Sequence, residues 1–189
     1  MGKQSIIFSL LAVAIVGGII WAITQKSDGD FLQSDEATSG IVGTSLGDTA
    51  PSFVISDSNG KNIKLSDFKK KKVLVITSFA SWCPTCILEA KQFSPVYREF
   101  RDQDVEFLTI SIDPSDDDEK VEMFKSNFET PWLYTHPNRD DVRQLILDYK
   151  LVRFEVTYVI DKEGTIRFKD TGITPTEQLR EVLRAVVSG

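Results

Sequence analysis

Residues 72–86 read Lys72-Val73-Leu74-Val75-Ile76-Thr77-Ser78-Phe79-Ala80-Ser81-Trp82-Cys83-Pro84-Thr85-Cys86. The first eight are rich in β-branched and aromatic side chains and carry no charge after the lysine, as expected of a strand covered on both faces. After Cys86 the apolar residues recur every three or four positions, which predicts an amphipathic helix. The two cysteines of the chain are therefore expected at a junction between a buried strand and a helix.

This junction favours redox chemistry at Cys83 and Cys86. The backbone N–H groups and partial positive charge of a helix N-terminus stabilise a thiolate, so the pKa of the Cys83 thiol is expected to lie below its usual value. Cys86, one turn further along, can attack a mixed disulfide formed by Cys83 and release the reduced substrate. The sequence therefore predicts that Cys83 attacks, that Cys86 resolves, and that the pair cycles through a redox-active disulfide.

Two other uses of the cysteine pair are less favoured by the sequence. A purely structural disulfide that closes so short a loop removes little entropy from the unfolded chain. A structural zinc site needs four ligands, and the chain offers these two cysteines and one histidine, His136. We therefore predict a dithiol site that needs no metal and no organic cofactor.

Residues 1–26 are predicted to form a transmembrane anchor. Within them, residues 6–23 are apolar or small without interruption, and as a helix they would span about 27 Å of a hydrocarbon core about 30 Å thick. A cleaved signal peptide is the alternative, but no small-x-small cleavage pattern follows the apolar run. We expect an uncleaved single-pass anchor in the cell membrane, with the N-terminus in the cytoplasm and the domain outside it.

The rest of the chain divides into a predicted flexible linker, residues 27–46, and a predicted globular domain, residues 47–189. The linker is rich in Gly, Ser, Thr and Asp and has few large apolar residues. The formal net charge of the chain is −6, which argues against nucleic acid as a partner.

The domain alternates strand and helix patterns. Strands are predicted at 53–55, 63–65, 72–79, 105–112, 157–160 and 165–169, and helices after residue 86, from the acids at 116–119 to about residue 127, at 140–149, and after an N-cap at Thr174. The acids at 116–119 lack the glycine and late glutamate of a calcium loop, so they are interpreted as helix-capping residues. The predicted class is α/β, with helices on both faces of a mixed central sheet and an N-terminal β-hairpin.

Several stretches of residues 47–187 resemble the thioredoxin superfamily, specifically the membrane-tethered TlpA/ResA-like thiol-disulfide oxidoreductases. They are residues 47–53 (GDTAPSF), 57–60 (DSNG), 65–68 (LSDF), 78–86 (SFASWCPTC) and 158–164 (YVIDKEG). The resemblance implies a thioredoxin-like fold and a protein-disulfide oxidoreductase that reduces its partners and takes part in cell redox homeostasis. It also implies the partners: cysteine-containing extracytoplasmic proteins, such as apocytochrome c in cytochrome c biogenesis or oxidase copper-site proteins, and a membrane thiol donor.

The resemblance draws attention to two glutamates near the predicted active site, Glu89 and Glu155. Glu89 matches an acid that recurs beside the active site in the subfamily and influences cysteine protonation, which makes it a candidate catalytic residue; the alternative is an exposed helix carboxylate. Glu155-Val156 stands where the family carries a cis-proline that faces the cysteines. In related proteins that proline helps to bind substrate backbone and to keep metals off the cysteine pair.

Two further functions share a similar fold. An SCO-like copper chaperone would hold copper with soft thiolates and an imidazole. Proteins of that family usually space their cysteines as C-x-x-x-C. They place the ligand histidine near the position of Arg153, well downstream of His136. A peroxiredoxin would carry the pattern Pro-x-x-x-Thr-x-x-Cys, in which Ala80 occupies the threonine position here. The oxidoreductase remains the favoured prediction.

Overall fold

The computed structural model describes residues 40–189 of the chain, so the predicted anchor and most of the predicted linker lie outside the described residues. The strands are β1 Val54–Ser56, β2 Asn62–Lys64, β3 Val73–Phe79, β4 Val105–Ser111, β5 Leu133–Thr135, β6 Val156–Ile160 and β7 Ile166–Thr171. The helices are α1 Leu65–Phe68, α2 Pro84–Phe100, α3 Asp118–Phe128, α4 Asp140–Asp148 and α5 Thr176–Ser188. Within residues 40–189, no helix combines the length and the apolar character that a membrane crossing needs.

Five strands form a mixed sheet in the order β5-β4-β3-β6-β7. β3 pairs in parallel with β4 and antiparallel with β6, while β5 extends the parallel side and β7 the antiparallel side. β1 and β2 form a separate antiparallel hairpin. The predicted mixed sheet and N-terminal hairpin are confirmed, and the cysteine motif follows the central strand.

The two faces of the sheet hold separate apolar cores because successive side chains of a strand point to opposite faces. Val73 and Val75 of β3 lie in one core with residues of α2, α3 and α5. Leu74 and Ile76 lie in the other core with residues of α4 and the β1–β2 hairpin. All seven residues of β3 are buried, which explains why the strand carries no charged side chain.

The helix predicted at the C-terminus is present but begins later than its sequence signal. Thr174 was expected to cap it, yet α5 begins at Thr176 and its N-cap is Pro175. The Thr174 hydroxyl instead donates to Asp170 Oδ2 at 3.2 Å, and the Thr174 N–H bonds to Glu89 of α2. The hydroxyl that would cap α5 is therefore bonded to Asp170, four residues earlier, and the backbone N–H is bonded to another helix.

Residues 41–46, at the end of the predicted linker, contact the domain. Val42 forms a parallel bridge with Thr49. Thr44 is buried, and its carbonyl oxygen accepts a hydrogen bond from Lys169 Nζ at 3.1 Å. Val42 and Thr44 therefore contact the domain, although both lie within the predicted linker.

Candidate active site

The strand-to-helix junction places Cys83 at the N-cap of α2. Cys83 has extended backbone angles, Pro84 opens the helix, and the Cys86 N–H donates to Cys83 Sγ at 3.3 Å. Proline suits this position because the first helical N–H has no intrahelical acceptor. The predicted location of the cysteine pair is confirmed, and one backbone N–H already points at the Cys83 sulfur.

Cys83 and Cys86 form a disulfide, with their Cα atoms 5.2 Å apart. In this oxidised state the two residues are only 3% and 2% exposed. Trp82, by contrast, is 59% exposed; its indole N–H donates to Asp113 Oδ2 at 2.6 Å, and its ring meets Phe154 edge-on at a centroid distance of 5.5 Å. An exposed aromatic side chain therefore flanks a nearly covered redox pair.

The carboxyl group of Glu155 covers the disulfide. Its Oε1 lies 3.5 Å from Cys83 Sγ and 3.7 Å from Cys86 Sγ, and it accepts a hydrogen bond from the Thr85 hydroxyl. In the sequence, Glu155 is a departure from the family pattern, and the sequence alone does not place its side chain at the cysteines. The signal was present, since the family residue at this position also faces them.

The backbone around Glu155 is held against the end of β3. Glu155 has a φ of +56°, a left-handed conformation that costs a non-glycine residue free energy. Its N–H donates to the Ser78 carbonyl oxygen at 3.0 Å, and the Ser78 hydroxyl donates to the Arg153 carbonyl oxygen at 2.9 Å and accepts from the Val156 N–H at 2.9 Å. These bonds fix the loop that aims Glu155 at the sulfurs.

Glu155 adds an electrostatic effect that opposes the helix N-terminus. A carboxylate next to a sulfur disfavours the thiolate form, whereas the Cys86 N–H and the dipole of α2 favour it. After reduction of the disulfide, the helix N-terminus and Glu155 would therefore act on the Cys83 sulfur in opposite directions.

Glu89 is buried, being 4% exposed, so the alternative of an exposed helix carboxylate is wrong. Burial, the largest cause, raises its pKa from 4.5 to about 8; the nearby carboxyl groups of Glu155 and Asp170 act in the same direction, and the N–H of Thr174 opposes them. Glu89 and Cys86 line the same small cavity between α2 and the sheet. A protonated carboxyl group therefore stands close to Cys86 at neutral pH.

Asp116 supports the loop before the cysteines. The sequence did not reveal this role, because Asp116 is the first of four consecutive acids that were all interpreted as helix-capping residues. It is fully buried. Its Oδ2 accepts from the Ser81 N–H at 2.9 Å and from the Ser111 hydroxyl at 2.5 Å, and its Oδ1 accepts from the Ser81 hydroxyl at 2.5 Å. The actual cap of α3 is its neighbour Asp117, which accepts from the Lys120 N–H.

Asp116→Ala should destabilise the fold by about 3 kcal/mol or more, because it leaves the buried Ser111 hydroxyl and two donors of the half-buried Ser81 without their charged acceptor. The free energy of unfolding, from urea titrations followed by tryptophan fluorescence, measures this loss. Asp102→Ala is the matched control, since the Asp102 side chain is 86% exposed, and we expect it to change stability by less than about 0.5 kcal/mol. Equal midpoints for the two variants would contradict this role of Asp116.

His136 lies away from the cysteines. It is buried, and its Nε2 is 3.0 Å from Asp118 Oδ1. Among residues 40–189, the cluster of potential metal-ligand atoms comprises Cys83, Cys86 and Glu155 and does not include His136. The structure therefore does not bring together the two thiolates and imidazole of an SCO-like copper site.

A C-x-x-C disulfide at the start of the helix that follows the central strand, in a mixed sheet of this order, defines a thioredoxin-like protein with a dithiol-disulfide centre. The model of the AhpC/TSA family matches residues 46–169, and the chain belongs to that family.

The chain is similar in sequence to proteins named thiol-disulfide oxidoreductase ResA. Identity is 25% with the protein of Bacillus cereus, over 98% of this chain and 99% of the relative. It is 29% with the protein of Bacillus subtilis, over 77% of this chain and 78% of the relative. The likeness therefore extends over nearly the full length of the first relative.

Solved structures share the fold. The thioredoxin domain of a thiol-disulfide oxidoreductase from Bacteroides vulgatus matches with a TM-score of 0.64 at 23% identity, covering 75% of this chain and 98% of that one. A structure described as a putative thiol:disulfide interchange protein DsbE from Chlorobium tepidum matches with a TM-score of 0.64 at 20% identity, covering 74% and 96%. These matches establish the thioredoxin-like fold that the sequence predicted.

Proposed function

We propose that the protein is a thiol-disulfide oxidoreductase that exchanges disulfides with other proteins through Cys83 and Cys86. The observation that carries this proposal is the disulfide between these residues at the N-terminus of α2, directly after the central strand. The similarity to proteins named thiol-disulfide oxidoreductase ResA supports the same reaction.

The reaction transfers two electrons from the dithiol to a partner disulfide. The Cys83 thiolate attacks one partner sulfur, the partner S–S bond breaks, and the other partner sulfur leaves and takes a proton. Cys86 then loses its proton and attacks Cys83 Sγ, which releases the second partner sulfur as a thiol and leaves the Cys83-Cys86 disulfide. A thiol donor returns two electrons and two protons to the pair.

We propose that Glu89 donates a proton to Cys86 and accepts one from it. When a donor reduces the disulfide, Cys86 leaves as a thiolate, and the protonated Glu89 can neutralise it across the cavity that both residues line. In the resolving step, the resulting Glu89 carboxylate can take the proton back from Cys86.

We propose that the protein works as a reductant. A pair is a strong oxidant when its reduced form is stabilised. Here the Glu155 carboxyl group, 3.5 Å from Cys83 Sγ, disfavours the thiolate and so supports the disulfide state. A pair that is more stable as a disulfide gives its electrons away more readily.

The reduction potential of the full chain tests this direction. We expect it to lie nearer to that of thioredoxin, about −270 mV, than to that of DsbA, about −120 mV. Equilibration with glutathione or dithiothreitol buffers, followed by alkylation and mass measurement, gives the value. Glu155→Gln should make the potential less negative, and Glu163→Gln, on an exposed turn, serves as the control. A wild-type potential near that of DsbA would contradict the reductant assignment.

We also propose that residues 1–26 anchor the enzyme in the cell membrane, with residues 47–189 outside the cytoplasm. The apolar run at residues 6–23 supports an anchor of this kind. The partners would be extracytoplasmic proteins with oxidised cysteine pairs, such as apocytochrome c or oxidase copper-site proteins, and a membrane thiol donor. Extraction of membranes at alkaline pH tests the anchor, because release of the chain into the soluble fraction would contradict it.

A further inference from the structure

We propose that the reduced protein binds one Zn²⁺ ion through Cys83, Cys86 and Glu155, in an exchangeable site with an open fourth position. The inference rests on the proposed function to the extent that the disulfide must first be reduced. It concerns a state of the cysteine pair that disulfide exchange itself does not require.

The distances between the three side chains suit a tetrahedral zinc ion. Glu155 Oε1 lies 3.5 Å from Cys83 Sγ and 3.7 Å from Cys86 Sγ, and one ligand atom from each residue lies within 4.8 Å of the others. Zinc bonds of about 2.3 Å to sulfur and about 2.0 Å to oxygen, at tetrahedral angles, place sulfur and oxygen about 3.5 Å apart. The carboxyl oxygen thus already stands at the ligand-to-ligand distance that zinc requires.

Reduction would have to move only the sulfurs. Breaking the S–S bond lets them separate to about 3.8 Å, the sulfur-to-sulfur distance of a tetrahedral zinc site. Cys83 is the N-cap of α2 and Cys86 lies in its first turn, with Cα atoms 5.2 Å apart, and two cysteines separated by two residues are a common zinc-binding pair. Side-chain rotation can therefore complete the site without a change of fold.

The charges around Glu155 also favour a cation. The ion pairs formed by residues 40–189 use other carboxyl groups, and the hydrogen-bond partner of Glu155 is the neutral hydroxyl of Thr85. In the reduced state a carboxylate would face two ionisable sulfurs, and a divalent cation removes that repulsion. The left-handed backbone of Glu155, pinned to Ser78, holds the carboxyl group in this unfavourable position.

The ligand set suits zinc. Two soft thiolates exclude Ca²⁺ and Mg²⁺, which take oxygen ligands, and the harder carboxylate oxygen suits Zn²⁺. Three protein ligands with one open position describe an exchangeable ion, whereas a structural zinc needs four protein ligands. The argument against a structural zinc site, which needs four protein ligands, therefore does not exclude an exchangeable zinc ion held by three.

Zinc binding would depend on the redox state of the pair. Zn²⁺ binds thiolates, so its binding displaces the protons of both thiols, and the disulfide has no thiolate to offer. Zinc-bound sulfurs are not free to attack a partner disulfide. The ion would therefore hold the reduced pair in a protected form until a chelating partner removes it.

The test uses the full chain in detergent, reduced with a phosphine, and Co²⁺ as a spectroscopic probe for zinc. We expect one Co²⁺ per chain, with thiolate-to-cobalt charge-transfer absorption that Zn²⁺ abolishes by displacement. Glu155→Gln should weaken Zn²⁺ binding by at least about tenfold, since loss of even an outer partner lowers metal affinity about 10- to 100-fold. Glu155→His, which restores a zinc ligand, should recover most of the affinity, and Glu163→Gln should match the wild type.

The outcomes separate this inference from the proposed function. Failure of the reduced wild type to bind Co²⁺, or equal affinity and spectra for wild type and Glu155→Gln, would overturn the zinc site. Disulfide exchange measured without metal can succeed in either case. Conversely, a chain that binds Co²⁺ through both cysteines but reduces no protein disulfide would overturn the proposed function and leave the zinc site standing.

Discussion

Cys83→Ser should reduce the turnover of protein disulfides to the uncatalysed rate. The first step requires a thiolate that attacks the partner sulfur, and a serine hydroxyl stays protonated and does not attack disulfides at neutral pH. Cys86 cannot replace Cys83, because Cys86 is a turn further into α2 and lines the cavity between that helix and the sheet. Reduction of insulin disulfides, with dithiothreitol as the electron source, measures the loss.

Cys86→Ser should give a different defect. Cys83 can still attack the partner, but no second thiol resolves the bond, so a mixed disulfide between Cys83 and the partner accumulates. Non-reducing electrophoresis and mass spectrometry detect this adduct, which a reductant dissolves. The double variant Cys83→Ser/Cys86→Ser is the control and should form no adduct.

The opposite assignment of the cysteines predicts the reverse pattern, with the adduct forming on Cys86 in the Cys83→Ser variant. Turnover at the wild-type rate in both single variants would contradict a redox role for the pair altogether. The experiment therefore decides both whether the disulfide is catalytic and which sulfur attacks.

Local sequence signals predicted the elements that carry the cysteines. β3 is buried on both faces, so its apolar run needed no tertiary information, and the helical pattern after Cys86 predicted α2. β5 escaped prediction because Leu133–Thr135 is only three residues long and, unlike the equally short β1 and β2, does not flank an Asn-Gly turn that would mark a hairpin. Its strand character comes from pairing with β4.

The parts of the site that the sequence could not predict depend on contacts between distant residues. Glu155 is 69 residues from Cys86, and only the antiparallel pairing of β6 with β3 brings the loop before β6 to the disulfide. In the sequence Asp116 cannot be told from the acids that follow it, and only its hydrogen bonds to Ser81, 35 residues away, distinguish it. The sequence showed that Glu89 lies on α2, but its burial depends on the segment at Thr174 that covers it.

Glu89→Gln should slow the two steps in which Cys86 gains or loses a proton by on the order of 100-fold, within the range expected for loss of a general acid-base group. The amide has the size of the carboxyl group but cannot exchange a proton. In the wild type, the rate constant for reduction of the disulfide by a small thiolate should fall as Glu89 loses its proton near its pKa of about 8. Single-turnover measurements of Trp82 fluorescence between pH 5 and 10 should show this inflection in the wild type and its loss in Glu89→Gln.

Glu99→Gln is the matched control on the same helix. Glu99 is paired with Arg180 and Arg184 at the surface, and its pKa is lowered. Its replacement should leave both the rate and the inflection near pH 8 unchanged. An inflection that persists in Glu89→Gln would assign the titration to another group and remove Glu89 from the proton path.

Equilibrium unfolding gives an independent measurement of the same group. Because the folded state raises the pKa of Glu89 from 4.5 to about 8, the folded protein holds a proton that the unfolded chain has released between these pH values. Stability falls with rising pH wherever the folded state binds more protons, so the contribution of Glu89 to the free energy of unfolding should decrease from about pH 4.5 to about pH 8 and then level off. Glu89→Gln should remove this decrease and make the variant more stable than the wild type at pH 9. Parallel stability curves for the two proteins across this range would show that the buried carboxyl group is not the one that titrates, because an amide at this position has no proton to lose.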